Sequence, residues 1–365
     1  MTTVLTAGAV CPPGPPAPGW VAIEGGLVVE VGAGAARPGP GVVDLGDVVL
    51  APGFLDLQVN GLGNVDFATA DADNWAHADR ALVETGTTGY CATFVSAPLD
   101  SYEQSFARAR AARERTDTIL GVHLEGPFLG DAPGAHSRDL LRPVDLGWLE
   151  HVLATQTDLI TLVTLAPEAD PGCAAMRLLA SRSVVVALGH STASYEDARA
   201  AADAGATVVT HLFNGMGPLH HRGPGLAGAA LTDHRLTPTL IADFVHVHRA
   251  ALQLAIAAKR SVALVTDAVA IGDRGFAVVD GAARLPDGTL AGSTLTLDRA
   301  VANVVGLGVP VERAIEMATA IPAEVLGLRD RGRLAPGVRA DIVALDPVSL
   351  AVRAVWLEGE PVLAN

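Results

Sequence analysis

The sequence predicts an α/β fold in which eight parallel strands close into a barrel surrounded by helices. Apolar strand-like segments alternate with Ala-rich helical patterns through the middle of the chain, and about eight such pairs fill the length typical of a barrel. Both ends instead consist of short β-like pieces broken by Gly and Pro. We therefore expect a (β/α)8 TIM-like barrel at residues 51–334, with a small discontinuous β-sandwich domain formed by residues 1–50 and 335–365.

Each predicted strand is a short apolar run bounded by Gly, Pro or polar residues, and helical patterns occupy the intervals. The eight strands are predicted at residues 53–59, 89–95, 119–124, 159–165, 184–188, 207–210, 239–242 and 262–266. Helices are predicted at residues 75–84, 102–115, 195–204 and 249–258, with 297–305 and 311–320 following the eighth strand. Residues 272–292 mix Gly, Asp and Thr with Val, which predicts a hairpin inserted after that strand.

The net charge and the cysteine content of the chain limit the kinds of molecule it could bind and the compartment it could occupy. The formal net charge of −15 opposes general binding to nucleic acid or to an anionic membrane, so we expect a small-molecule substrate. The three cysteines form no CxxC pair, which indicates a reducing cytoplasm. The first residues lack the pattern of a signal peptide, and no unbroken apolar run of about 18 residues predicts a membrane span.

Ionisable side chains follow several of the predicted strands, and the carboxyl ends of barrel strands form the active site in this fold. Glu125 follows the third strand, His190 the fifth, His211 the sixth and Asp267 the eighth. Alone, each has an ordinary structural explanation as a cap, a core residue or a loop charge. Their shared placement favours a site, because one carboxylate and two imidazoles suit a divalent transition metal with an open coordination position. We expect Glu125, His190 and His211 to bind one ion, with zinc expected and iron, cobalt and manganese as alternatives.

Several motifs resemble those of the N-acetylglucosamine-6-phosphate deacetylases, a branch of the amidohydrolase superfamily. The likeness runs nearly end to end, and the HLEGP and THLFNGM segments are specific to this branch. A closing GRLAPG segment (332–337) with ADIV (340–343) is shared by the whole superfamily. The other matching segments are PGFLDLQVNG (52–61), LGHSTA (188–193), GPGLAG (223–228), LVTDA (264–268) and GSTL (292–295).

The resemblance implies hydrolysis of the N-acetyl group of a 6-phosphorylated amino sugar. Asp267 would be the general base that accepts a proton from water and later delivers it to the leaving amine. His136 would stabilise the developing oxyanion. The resemblance also implies a homodimer, because in related enzymes some substrate contacts cross a subunit interface. Substrate contacts are expected from a backbone N–H pair at Asn214 and Gly215, from the planar guanidinium of Arg222 and from His246.

One departure from the wider superfamily concerns the number of metal ions. Most members carry His-x-His after the first strand, where this chain has Gln58 and Asn60, and a bridging lysine on the fourth strand is also absent. Amides are weak ligands for zinc compared with imidazole. We therefore expect one tightly bound ion, with Gln58 and Asn60 acting through water or behind the ligands.

Two other functional classes remain open from the sequence. The first is an amidohydrolase of another amide, such as N-acetylgalactosamine 6-phosphate, an N-acyl amino acid or a cyclic imide. The second is a non-catalytic scaffold that has kept the barrel. The retention of Asp267 beside the three ligands argues against a scaffold, since a scaffold has no use for a buried base.

Overall fold

A computed structural model describes residues 2–11, 14–35, 39–272 and 276–364 and confirms the predicted barrel. Its eight strands are parallel and pair in chain order. The end of the first strand meets the segment after the eighth through a parallel bridge between Val59 and Ala268. The strands are Phe54–Val59, Thr87–Val95, Ile119–Glu125, Ile160–Leu165, Val185–Leu188, Ala206–Val209, Thr237–Leu240 and Ala263–Leu264. Each lies within two residues of its predicted limits.

Capping side chains and backbone angles determine where the helices begin and end. Ser194 and Asp197 form a reciprocal capping box at the start of the helix Tyr195–Asp203. The predicted helix 311–320 is wrong at its end, because Thr319 adopts non-helical angles and separates two helices. No helix among the described residues is long and apolar enough to cross a membrane. The helices are Ala72–Glu84, Tyr102–Arg113, Leu146–Thr155, Ala174–Ser181, Tyr195–Asp203, Gly225–Thr232, Arg249–Ala258, Leu297–Val305, Val311–Ala318 and Ala320–Val325, with short 3₁₀ turns at Leu99–Ser101, Arg138–Leu140 and Pro167–Ala169.

The insertion after the eighth strand forms three antiparallel strands where a single hairpin was predicted. These strands are Ala277–Val279, Ala282–Arg284 and Leu290–Ser293. The third strand arises because Leu290–Ser293 pairs back onto Ala282–Arg284, and Ser293 N also donates to Asp267 O at 2.9 Å. A small antiparallel pair, Gly61–Leu62 with Val65–Asp66, follows the first barrel strand. Residues 273–275 of the predicted insertion lie outside the described residues.

The two termini contribute strands to one eight-stranded sheet, as predicted. Its inward side chains form an apolar core that includes Leu5, Val21, Ile342 and Trp356. The chain divides into two compact units, one of Met1–Asp56, Asp79–Gly89 and Thr296–Asn365 and the other of Leu57–Ala78 and Tyr90–Leu295. The limits given above for the small domain stay a prediction. The sheet contains Thr3–Val10, Ala17–Glu24, Leu27–Ala33, Val42–Asp44, Val49–Pro52, Ile342–Leu345, Val352–Leu357 and Glu360–Ala364.

Candidate active site

Three buried side chains from different strands meet at the carboxyl end of the barrel. Glu125 Oε1 lies 3.1 Å from His190 Nε2 and 2.9 Å from His211 Nε2, and the two Nε2 atoms are 3.1 Å apart. Burial by itself would raise the pKa of the Glu125 carboxyl. The adjacent His190 and His211 imidazoles nevertheless hold that pKa well below its usual range, so the carboxyl is ionised.

The proton positions on His190 show why this cluster suits a cation. His190 Nδ1 lies 3.2 Å from the carbonyl oxygen of Ala132, which can only accept, so Nδ1 carries the hydrogen. In the neutral form of His190 with its hydrogen on Nδ1, the Nε2 lone pair faces the Glu125 carboxylate. A metal ion between the Nε2 atom and the carboxylate would bind both of these acceptor atoms and remove the repulsion between them. The carbonyl oxygen of Ala132 holds the other ring nitrogen of His190, which is the orienting contact that metal-bound histidines usually have. The residues present therefore fit a divalent ion.

His136 offers an alternative third ligand, since its ring nitrogen, Glu125 and His190 have ligand atoms within 4.8 Å of one another. The backbone N–H of Ser96 donates to His136 Nδ1, so the hydrogen is on Nε2. That Nε2 lies 3.9 Å from Glu125 Oε2, farther than the His211 contact. Burial, followed by the nearby His190, lowers the pKa of His136 to about 3. His136 is thus a neutral N–H donor at the site, and His211 is the better third ligand.

Asp267 is fixed by the two amides that stand where other superfamily members have histidines. Gln58 Nε2 donates to Glu125 Oε1 at 3.0 Å and to Asp267 Oδ1 at 3.1 Å, and Asn60 Nδ2 donates to the same Oδ1 at 2.8 Å. The Gln58 amino group therefore serves as a hydrogen-bond donor to both carboxylates. Burial, followed by the charge of Glu125, raises the pKa of Asp267 to about 6.

The backbone is left-handed at the key strand ends. The φ angles are 49° at His190, 31° at His211 and 49° at Asp267. For residues with a side chain this conformation costs about 1 to 2 kcal/mol each, and such strain concentrates at functional sites. The turn immediately after each strand directs these side chains over the barrel mouth.

A cavity of about 580 Å³ opens above these residues, and it is also lined by Asn214, Gly215 and His246. The predicted backbone N–H pair at Asn214 and Gly215 is corrected at Asn214, while the part of Gly215 stays a prediction. Asn214 N already donates to His211 O at 2.9 Å, and Asn214 Nδ2 turns to the same carbonyl. Asn214 therefore lines the cavity without offering its backbone N–H.

His246 and Arg222 differ in their surroundings. His246 Nδ1 lies 2.6 Å from Asp243 Oδ2, and the other Asp243 oxygen accepts the backbone N–H groups of Val245 and His246. This pairing leaves Nε2 of His246 as the atom available to a ligand. Arg222 is exposed, bonds to His221 and does not line the cavity of its own chain.

Comparison with known proteins decides the family. The model of the amidohydrolase family matches residues 49–362. The chain belongs to the amidohydrolase family. The resemblance seen in its motifs is thereby confirmed, and so is the expectation of an enzyme built on this barrel.

Similar proteins share most of the length of this amidohydrolase. The N-acetylglucosamine-6-phosphate deacetylase of Bos taurus is 39% identical, covering 87% of this chain and 84% of its own. The N-acetylgalactosamine-6-phosphate deacetylase of Escherichia coli O157:H7 is 38% identical, covering 86% and 87%. A mutant of the Mycobacterium smegmatis N-acetyl-D-glucosamine-6-phosphate deacetylase, in complex with N-acetyl-D-glucosamine-6-phosphate, is 37% identical with a TM-score of 0.93 and covers 100% of both chains.

Two residues at the site of this amidohydrolase were missed by sequence reasoning. Ser96 follows the second barrel strand and orients His136, so the strand-end rule would have found it had it been applied there. Arg284 lines the cavity from the insertion. It follows no barrel strand, so no pattern in the sequence identifies it.

Proposed function

We propose that the protein hydrolyses the N-acetyl group of N-acetylglucosamine 6-phosphate to give acetate and glucosamine 6-phosphate. The observation that carries this proposal is the convergence of Glu125, His190 and His211 beside Asp267 and the N–H of His136 in one cavity. Relatives at 36–39% identity with this activity support it. A non-catalytic scaffold would have no use for a buried carboxylate held by two amides.

We propose that Glu125, His190 and His211 hold one divalent ion, with zinc expected. Such an ion, when bound, acidifies water and polarises the acetyl carbonyl. Asp267 accepts the proton of the attacking water and returns it to the leaving nitrogen, which makes the amine a feasible leaving group. Its raised pKa favours both halves of this task near neutral pH.

The neighbouring groups have separate tasks in this mechanism. The Nε2–H of His136 donates to the oxygen that gains negative charge in the transition state. The Gln58 and Asn60 amides hold Oδ1 of Asp267 and thereby fix the direction in which it accepts a proton. His246, through its Nε2, and Gly215 line the part of the cavity that receives the sugar phosphate, and Asn214 lies beside them. We propose that Arg222 contacts substrate only across the interface of a homodimer.

A second candidate substrate is N-acetylgalactosamine 6-phosphate, because a relative at 38% identity acts on that epimer by name. The cellular setting we propose is the cytoplasm, in keeping with three free cysteine thiols.

The deciding experiment is acetate release from a panel of amides, with metal content measured on the same sample. The panel contains both 6-phosphorylated epimers, both free N-acetyl sugars and an N-acyl amino acid. We expect the highest kcat/KM with N-acetylglucosamine 6-phosphate. A higher value for the galactosamine epimer would transfer the proposal to that substrate, and acetate release from none of them would refute it.

A further inference from the structure

One buried oxygen at the barrel mouth has no hydrogen-bond partner among the described residues. It is Oδ1 of Asn60, a residue that lines the cavity and is only 6% exposed. The other polar groups of Asn60 are occupied: Nδ2 donates to Asp267 Oδ1, the backbone N donates to Ala268 O, and the backbone O accepts from Phe67 N. A buried acceptor without a donor is unfavourable, so a ligand that brings an N–H or O–H group to Oδ1 gains a hydrogen bond.

The identity of the two amide atoms of Asn60 follows from their neighbour. Before it takes up a proton, the Asp267 carboxylate only accepts hydrogen bonds, so the Asn60 atom 2.8 Å from its Oδ1 is the nitrogen. The opposite orientation would place two acceptors against each other. Because the amide oxygen is attached to the same carbon as that nitrogen, it lies next to the Asp267 carboxylate. An acceptor thus stands beside the group that carries the proton in the proposed reaction.

The return of the proton creates a donor at this place. Once water has added to the acetyl carbon, the substrate nitrogen has one hydrogen and a lone pair. The lone pair takes the proton from Asp267: an N–H bond forms, the O–H bond of the acid breaks, and the electron pair of the C–N bond then leaves with the amine. The nitrogen gains positive charge before the C–N bond has broken, so its hydrogens become stronger donors. An acceptor beside Asp267 therefore binds the nitrogen more tightly in the transition state than in the ground state, which accelerates the step.

We propose that Asn60 is a further catalytic residue of this enzyme, whose Oδ1 accepts a hydrogen bond from the nitrogen of the scissile amide while Asp267 protonates that nitrogen. This inference rests on the proposed deacetylation and adds a group that acts on the leaving amine. One side chain then has two tasks, because Nδ2 holds the acid and Oδ1 holds the atom that receives the proton.

Gln58 provides the comparison that separates these two tasks. It also donates to Oδ1 of Asp267, at 3.1 Å. If Asn60 only held Asp267 in place, removal of either amide would impair every substrate that needs Asp267. If Asn60 also binds the nitrogen, its removal has an additional effect on substrates with an N–H group at the scissile bond.

The test compares Asn60→Leu and Gln58→Met on two substrates that differ at the scissile bond. N-acetylglucosamine 6-phosphate has a hydrogen on its amide nitrogen, whereas 2-O-acetylglucose 6-phosphate has an ester oxygen without one. We expect Asn60→Leu to lower kcat for the amide about tenfold to a hundredfold more than for the ester. Gln58→Met should lower kcat for both substrates by similar factors. Metal content and melting temperature of each variant establish that the site and fold are intact.

Asn74→Leu is the matched control for the substitution itself. Asn74 is exposed on the helix Ala72–Glu84 and does not line the cavity. We expect it to change kcat for neither substrate.

A nitrogen isotope effect gives a second measurement on the amide alone. Loss of the acceptor should slow the departure of the amine more than the addition of water, so the ¹⁵N isotope effect on kcat/KM should be larger in Asn60→Leu than in the wild type. A purely structural role would not single out C–N cleavage. An unchanged isotope effect, together with equal losses of kcat on the amide and the ester, would overturn the proposal and leave the deacetylase function intact.

Calorimetric binding to the metal-loaded protein separates this inference from the proposed function. The two ligands are glucosamine 6-phosphate, with an amino group at C2, and 2-deoxyglucose 6-phosphate, with no donor there. The wild type should prefer the amine, and Asn60→Leu should lose about tenfold of that preference while Gln58→Met keeps it. If no sugar is deacetylated but this pattern is found, the deacetylase proposal fails and the role of Asn60 stands. The same preference in all three proteins would refute that role.

Discussion

Asp267 accepts hydrogen bonds from two amides on one oxygen, Oδ1. These bonds hold the side chain in place and do not depend on its ability to take up a proton. We expect Asp267→Asn to keep the fold and to bind metal and substrate, because asparagine has the same shape. It cannot accept a proton from water, so kcat should fall by about a hundredfold to ten-thousandfold. Steady-state kinetics with metal analysis make the measurement, and Asp73→Asn, at an exposed helix position, is the control. Near-normal turnover would remove Asp267 as the base.

Asp243 is paired with His246 and does not line the cavity, so we expect it to orient the imidazole without touching substrate. Burial would raise the pKa of Asp243, but the adjacent His246 lowers it below its usual value, so it is ionised. Asp243→Asn should raise KM about tenfold with little change in kcat. A double-mutant cycle with His246→Gln tests the pairing: the effects should not add, and fully additive effects would show that the two residues act separately.

At the scale of elements, the loop after the sixth strand depends on glycine at one point. Gly215 has a φ of 57°, and a Cβ there would lie 2.7 Å from His190 Nδ1 and 3.2 Å from Ala132 O. Gly215→Ala should therefore displace the hydrogen bond that orients His190. We expect metal affinity and activity to fall by about tenfold to a hundredfold.

Gly217→Ala in the same loop is the control for that change, since a Cβ there would meet no atom within 4 Å. Metal titration and kcat/KM should separate the two variants. If both behave like the wild type, Gly215 does not support His190.

The barrel strands were predictable because strands buried on both faces are continuous apolar runs between breakers. The same regularity located Glu125, His190, His211 and Asp267 at strand ends. Contacts between distant segments were not predictable. Nothing in the local sequence indicates that Asn214 N bonds to His211 O or that Leu290–Ser293 folds back as a third strand. Thr319 likewise breaks a helix whose apolar periodicity continues through it.

For the whole molecule, one bound ion should couple activity to stability. Gln58 donates to both carboxylates, and amides are weak ligands for zinc compared with imidazole, so we expect about one ion per chain. Dialysis against a chelator should abolish activity and lower the melting temperature, because an ion that binds only the folded state stabilises it. Readdition of zinc should restore both. Two tightly bound ions per chain, or an unchanged melting temperature in the stripped protein, would contradict this expectation.

The three-stranded insertion has a consequence for how such an enzyme can change. Its strands carry Arg284 and Leu290 to the cavity, yet none of the four residues assigned to metal and proton chemistry belongs to it. The backbone N–H of Ser293 ties it to Asp267 by donating to the carbonyl oxygen of that residue. We therefore expect that replacing residues 277–291 would change the shape of the cavity wall more than the positions of the four residues assigned to metal and proton chemistry.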